Sequence, residues 1–491
     1  MFNFNSQTLF KISYGYLALP LFIFICSWLN YFCAVPLALL FLLAFYKIYQ
    51  ETSATLLDWK CDGKTLLSFG FLALIWCFCA GIGYFYYQSF DYHFRNAVFR
   101  DLLTYNWPVF YDRANTPMVY YMGFWLLPAT LGKLSALFMH NAYWNFYVAN
   151  VFLLVYAVIG TILIFAHLSL ALKSYFWKKS ILAAVLFILF SGLDIIGITF
   201  FRTQPQPFIF HLDWWATFMQ YSSFSTAMFW VFNQFIPLAL VTLLIFNERK
   251  IQNFGFLITS ALFFSPYPAF SIGIFMLAYA FQQFLQSTQK NHFILTQIFS
   301  IPNIIGVFWL LPVCVLYFIT NSEGIDRLWY IFDQTSPWRL LVFLLLEFLL
   351  YALIIAPSYK KHLFFVTSIV LLCLIPFFRF DQQNNFCMRA SLPPLIILSV
   401  YIFRFVFDTA QKRWARILLI LLLIVGAVTP AFEFFRGAYF VRKQHQLNLV
   451  ADDIYTLNQK VVIMPDFGWS ANHQFTANDY QTDVFWKYLA E

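Results

Sequence analysis

The chain has 491 residues, of which 62% are hydrophobic and only 11% charged. A soluble domain carries about 25% charged residues, so a water-soluble core of this composition would leave large apolar areas exposed, whereas lipid solvates apolar side chains directly. The net charge of +8 does not indicate nucleic acid, because the basic residues fall in small groups between apolar runs and not along one stripe.

A bilayer core takes about 20 apolar residues per helix. Runs of that kind lie at 12–29, 31–48, 66–87, 146–168, 180–201, 228–246, 254–266, 268–285, 293–319, 338–356, 363–378, 391–408 and 417–435. They predict an all-α fold, a polytopic transmembrane helical bundle of about thirteen spans. The first two form a tight hairpin turning near Asn30. Lys11 is followed by apolar sequence with no small-residue cleavage site, so the first run reads as a membrane helix and not as a cleaved signal. Ser265-Pro266-Tyr267-Pro268 breaks 254–285 into two half-helices or kinks one helix. The 16 Trp and 29 Tyr suit aromatic belts at the membrane interfaces. The eight Cys give no disulfide framework, since Cys26, Cys33, Cys77, Cys79, Cys314 and Cys373 sit inside apolar runs as small hydrophobes.

Loop charges orient the bundle. With the N-terminus in the cytoplasm, the inner loops hold Lys47, Lys60 and Lys64, then Lys173, Lys178 and Lys179, then Arg249 and Lys250, Lys290, Lys360 and Lys361, and finally Lys412, Arg413 and Arg416. The outer loops hold most of the Asp residues, His93 and His211. This positive-inside pattern requires that 119–139, apolar but carrying Pro128 and Lys133, lies at the outer surface and does not cross. The expected division is a membrane domain over 1–436, with a first outer loop at 88–145, and a short extracytoplasmic tail over 437–491. That tail contains a helix-like 444–457 and a strand-like 461–464. It is too small to fold independently and is expected to pack on the outer loops.

Reactive groups concentrate in three outer loops. The first carries Asp91, His93 and Arg95 immediately beyond a membrane helix. A carboxylate fixed there is placed to act as a general base on an acceptor hydroxyl; the plainer alternative is an interfacial acid paired with Arg95 at helical spacing. Asp91 and His93 are also two donors toward a divalent cation, but two residues do not make a metal site. The second loop carries Arg202, His211 and Asp213. Arg202 offers a planar fork suited to phosphate, or else snorkels from a helix end. The third runs from Arg379 to Arg389, bracketed by two arginines placed to hold a lipid-linked phosphate or to anchor two helices. Glu347 falls in mid-span, with Asp194 and Glu433 toward the outer end; such residues mark function or pair within the bundle. Walker, Rossmann, His-Glu-x-x-His and Gly-x-Ser-x-Gly patterns are missing, so nucleotide-driven pumping and the usual hydrolases lack support.

The first loop has a further pattern. Asp91 is followed by an amphipathic stretch from His93 to Leu103, then Trp107-Pro108, then Pro117-Met118-Val119-Tyr120-Tyr121-Met122-Gly123-Phe124-Trp125-Leu126-Leu127-Pro128. This resembles the first outer loop of the multi-spanning GT-C glycosyltransferases, and Asn233-Gln234 ahead of a helix followed by Ser265-Pro266 resembles uncharacterised bacterial members. The resemblance implies an inverting transferase that takes sugar from a polyprenyl-phosphate-linked donor. The acceptor would be a cell-envelope glycan, lipid or protein at the outer face. It carries Asp91 over as the catalytic base; Arg379 and Arg389 match only by position, as phosphate ligands. His93, Arg95, Arg202, His211 and Asp213 complete the candidate substrate-binding set. No resident cofactor is expected beyond the divalent cation already considered. Two departures matter: the loop follows the third span and not the first, and the C-terminal outer domain of some members shrinks to a tail. The alternative from another class is a transporter or flippase of a lipid-linked or amphipathic substrate, to which the Pro266/Pro268 break is suited.

Overall fold

Apolar runs with few breakers fold as helices because lipid cannot hydrogen-bond an open backbone, and the computed structural model is built almost wholly of them. It describes residues 4–53, 59–89, 91–112, 114–138, 141–174, 176–201, 211–216, 218–321, 329–330, 335–380, 384–444, 475–477 and 480–490.

The first half of the chain forms α1 (Ser6–Trp28), α2 (Tyr31–Ser53), α3 (Gly63–Cys79), α4 (Tyr92–Thr104), α5 (Gly123–Ala136) and α6 (Ala142–Ala171). It continues through α7 (Trp177–Ile188), α8 (Asp194–Phe200), α9 (Phe224–Glu248), α10 (Phe254–Phe264) and α11 (Pro266–Gln286). Long helices then cover Ile301–Ile319, Pro337–Tyr359, Asn385–Phe407 and Arg413–Lys443, with a shorter one at Leu363–Phe377. Three two-stranded pairings tie loops together: β1 (Phe4–Asn5) with β2 (Lys60–Cys61), β3 (Phe110–Tyr111) with β4 (Thr116–Pro117), and β5 (Trp329–Tyr330) with β6 (Phe378–Arg379).

Among the described residues nine helices are long and apolar enough to cross a bilayer, and three more apolar helices, Gly63–Cys79, Ile251–Phe264 and Leu363–Phe377, are shorter. Set against the expected thirteen runs, the described residues give nine long and three shorter apolar helices. Two differences have clear causes. The third run stops at Cys79, not at 87, because Gly81 and Gly83 take φ of +78° and +84°. The Ile82 amide donates to the Cys77 carbonyl and the Gly81 amide to that of Phe78, the bonding of a left-handed helix stop. The 180–201 run is split, since α7 ends at Ile188 and α8 begins at Asp194. The break in 254–285 falls at Ser265, with Pro266 at the first turn of α11, where its missing N–H costs nothing.

α9 is the axis of the bundle. It packs against α1, α5, α6, α10, α11 and the helices 392–407 and 428–444. In its most apolar stretch 94% of residues are buried, against 28% for α2, which identifies α2 as a peripheral helix. α5 lies in the bundle between α1, α4 and α6 and is not among the nine long apolar helices.

The basic clusters gather at one end. Lys250 Nζ donates to the Glu51 carbonyl, Arg404 to the Ala171 carbonyl and Arg416 to the Val406 carbonyl. Lys64 lies over the Trp177 ring, and Lys179 over that of Phe407. The opposite, loop end carries α4 and the described part of the tail. The Val119 amide donates to the Phe475 carbonyl and the Ala477 amide to Pro117, while the Asn30 amide reaches Leu489. The expected helix-like 444–457 and strand-like 461–464 lie outside the described residues.

Candidate functional site

α4 is held across the loop end by its own amphipathic pattern. Tyr92, Arg95, Asn96, Val98, Phe99 and Leu102 are buried, while His93 is exposed. Tyr92 donates from its hydroxyl to the Ala80 carbonyl at 2.7 Å, tying the start of α4 to the end of α3. Asn96 Nδ2 donates to Gln88 Oε1 at 2.6 Å, and Gln88 Nε2 to the Gly81 carbonyl at 2.7 Å. The glycine turn after α3 therefore sets where α4 begins.

Asp91 is the residue immediately before α4 and makes no cap to its amides. Its carboxylate instead meets Arg95 Nη2 at 3.0 Å, with the Asp91 side chain 44% exposed and that of Arg95 6% exposed. Both alternatives for Asp91 thus coexist in one geometry: it is the i,i+4 partner of Arg95, and it still presents a carboxylate to the surroundings.

Tyr120 lies within electrostatic reach of Asp91, Arg95 and Arg389, and of its neighbour Tyr121. Burial is the main cause that pushes its phenol above the ordinary tyrosine range, Tyr121 adds to this, and the two arginines oppose it. Arg389 Nη1 donates to the Tyr121 hydroxyl at 3.4 Å. One nitrogen on each of Arg95 (Nη1), Arg389 (Nε) and Arg436 (Nε) is buried with no acceptor among the described residues.

His211 is buried beneath this surface. Its Nδ1 is 2.8 Å from Glu433 Oε1, and its Nε2 is 3.4 Å from Arg436 Nη1. A carboxylate only accepts and a guanidinium only donates, so Nδ1 carries the hydrogen and Nε2 accepts, which is the neutral ring. Electrostatics agree: burial lowers the His211 pKa, and this outweighs the opposing pull of Glu433. Arg436 Nη2 closes the cluster on Glu433 Oε2 at 2.6 Å, and Trp230 packs edge-on to His211 with centroids 4.0 Å apart. Asp91 is near enough to raise the proton affinity of His211, which places the two in one neighbourhood.

The structure therefore brings Asp91, Arg95, Arg389 and His211 toward one end and one region. Asp213 is buried deeper, and burial, followed by Asp194 and Glu433, pushes its carboxyl well above the usual range. Arg379 stacks over the Phe218 ring at 3.7 Å and lies in β6 paired with Trp329, and β6 packs against the short helix that carries Arg389. Arg202 lies outside the described residues. Among the described residues no group of three His, Cys, Asp or Glu side chains, Asp91 and His93 included, is placed to hold a metal ion.

The chain matches no family model, no curated protein and no solved structure. The site accordingly rests on its own geometry. Sequence reading missed Arg436, Trp230 and Tyr120. Arg436 had a signal in its i,i+3 spacing from Glu433, within the apolar first part of the helix 428–444. Trp230 had none, because aromatic residues are common throughout the chain, and Tyr120 stood within the Pro117–Pro128 stretch with nothing to single it out.

Proposed function

We propose that this is a membrane glycosyltransferase moving a sugar from a polyprenyl-phosphate-linked donor to an acceptor hydroxyl at the outer face of a cell membrane. The observation that carries the reading is the half-exposed Asp91 carboxylate fixed at the start of α4 beside Arg95, with Tyr120, Arg389 and His211 in the same neighbourhood. In this reading Asp91 takes the proton of the acceptor hydroxyl as its oxygen attacks the anomeric carbon. The bond from that carbon to the lipid phosphate breaks, and the phosphate leaves with the electron pair. The lipid phosphate is already an activated leaving group, so the protein's task is positioning and charge stabilisation. The unpaired buried N–H groups of Arg95, Arg389 and Arg436 support a phosphate ligand, because an unmet charged donor is costly and an anion relieves it.

The collection of basic loops at one end supports a cytoplasmic N-terminus and an extracytoplasmic loop end. The charged helix junctions also fit contact with membrane lipid. Asp91→Asn, assayed for sugar transfer from a polyprenyl-phosphate donor in vesicles, should reduce turnover by roughly 10²- to 10⁴-fold. Full turnover at normal expression would remove Asp91 from the role.

A transporter of an amphipathic or lipid-linked substrate is the second reading. The feature that favours it is the interrupted helix between α7 and α8, with buried carboxyls beside it. Substrate movement into proteoliposomes without a covalent product would decide for it.

A further inference from the structure

Next to the His211–Glu433 cluster, and linked to it through Asp213, buried carboxyls meet where α7 gives way to α8. Asp194 is 0% and Glu347 2% exposed, and their carboxyl groups are near enough to interact electrostatically. One oxygen of each is already served. Asp194 Oδ2 accepts from Ser191 Oγ at 2.6 Å and from Thr429 Oγ1 at 3.0 Å. Glu347 Oε1 accepts from Trp215 Nε1 at 2.9 Å. The remaining two oxygens, Asp194 Oδ1 and Glu347 Oε2, have no donor among the described residues. Nor does any described residue form an ion pair with either acid.

Two ionised carboxylates in contact and out of water repel each other, and neither repulsion nor the unmet oxygens can be left uncompensated cheaply. A single hydrogen placed between the two orphan oxygens answers both. Among the described residues, the titratable groups that interact with the pair add no positive charge. They are Asp213 from the turn 212–216, Tyr221 ahead of α9, Tyr351 on the helix Pro337–Tyr359, Cys387 on the helix Asn385–Phe407 and, beyond Asp213, Glu433. Asp213 shares this demand in weaker form: it is 1% exposed, and its carboxyl oxygens make no well-formed hydrogen bond among the described residues, with the Thr226 side chain and the Ser223 backbone the groups nearest to serving it.

The backbone is shaped to allow the contact. Residues 189–193 are unwound between α7 and α8, and Leu345–Leu349 opposite is a π-helical turn. The Leu193 amide donates across to the Leu346 carbonyl at 3.0 Å. A Cβ on Gly192 would fall 2.3 Å from Glu347 Oε2, so only glycine admits the acid here. Irregular backbone at membrane depth persists where it is enclosed by protein, and π-turns cluster at functional positions.

We infer that Asp194 and Glu347 form a buried proton-binding site holding one shared proton between Asp194 Oδ1 and Glu347 Oε2. This site stands whichever function the loop end serves. The test is infrared spectroscopy of the full chain in lipid nanodiscs at neutral pH. A protonated-carboxyl C=O band that shifts in D₂O should be present, altered in Asp194→Asn and in Glu347→Gln, and reduced in the double variant. A double variant with an unchanged carboxyl region would overturn the proposal. So would loss of the band on replacing choline chloride with sodium chloride, which would make the ligand a metal cation. Thermal unfolding of Glu347→Gln is a second readout, because the amide supplies its own donor. The unfolded chain does not hold this proton at neutral pH, so wild-type Tm should fall as pH is raised and the proton is stripped. Glu347→Gln should lose that alkaline fall; an identical pH profile in both proteins would also count against the shared proton.

Discussion

Asp91 is tethered to a guanidinium that is itself buried, so its carboxylate has one preferred direction even though nearly half of the side chain is accessible. In the proposed transferase, Arg95 would position this base as well as supply charge. Arg389 differs, because its described partner is a neutral phenol and one N–H stays unmet. If it holds phosphate, Arg389→Ala should raise the KM for a polyprenyl-phosphate donor by about 10- to 100-fold with kcat less affected. Arg389→Lys should recover only part of this, since lysine lacks the planar fork. His211 gives a pH prediction. Burial holds its folded-state pKa below the ordinary value, so the unfolded chain binds the extra proton first. Its contribution to stability is complete above the ordinary histidine range and declines as pH falls through it. Acid-side Tm profiles should therefore flatten in His211→Gln relative to wild type. The neutral ring also explains why this histidine, although buried beside an arginine, needs no additional acid.

At the scale of elements, glycine decides where helices stop and how closely they pass. Gly81 ends α3 with a positive φ, and an added Cβ would stand 2.5 Å from the Tyr87 carbonyl. Gly81→Ala should therefore destabilise the turn that seats α4. Because Asp91 sits at the start of α4, the proposed transfer activity should fall together with Tm. Gly306 works differently: its added Cβ would meet the Gly255 backbone at 2.4 Å, so the helix Ile301–Ile319 and α10 touch main chain to main chain. Small residues at such crossings are the ordinary means of helix association in lipid. Gly306→Ala should cost about 1–3 kcal/mol by overpacking, read as a lowered Tm with donor KM unchanged. Hydropathy alone found the nine long apolar helices and the three shorter ones, because each is an apolar run. It placed the third run's end at 87 because Tyr84-Phe85-Tyr86-Tyr87 continues the apolar character past the glycines that turn the chain. It also read 180–201 as continuous, since Ser191 and Gly192 barely lower the apolar content while they permit the unwinding. The site was less legible. Asp91 and Arg95 are neighbours in sequence, but His211 and Glu433 are 222 residues apart and meet only through the packing of the helix 428–444 on α9 and on the turn 212–216.

For the whole molecule, the charge asymmetry makes a geometric prediction. On a Cys-free background, Asp112→Cys at the loop end should react with a membrane-impermeant maleimide applied outside intact cells. Lys173→Cys, at the basic end, should react only after permeabilisation. The reverse pattern would invert the bundle and move Asp91 to the cytoplasmic face. The burial of α9 has a separate consequence for how the protein is made. Asn233 has neither side-chain atom paired among the described residues, and Gln234 reaches Ser265 through its carbonyl oxygen. A helix carrying these amides is poorly suited to reside alone in hydrocarbon. Its enclosing neighbours include 392–407 and 428–444, which the ribosome delivers much later. α9 must then either linger beside the insertion machinery or pair provisionally with α1, α5 and α6 until the closing helices arrive, so the last third of the chain determines when its centre becomes dry.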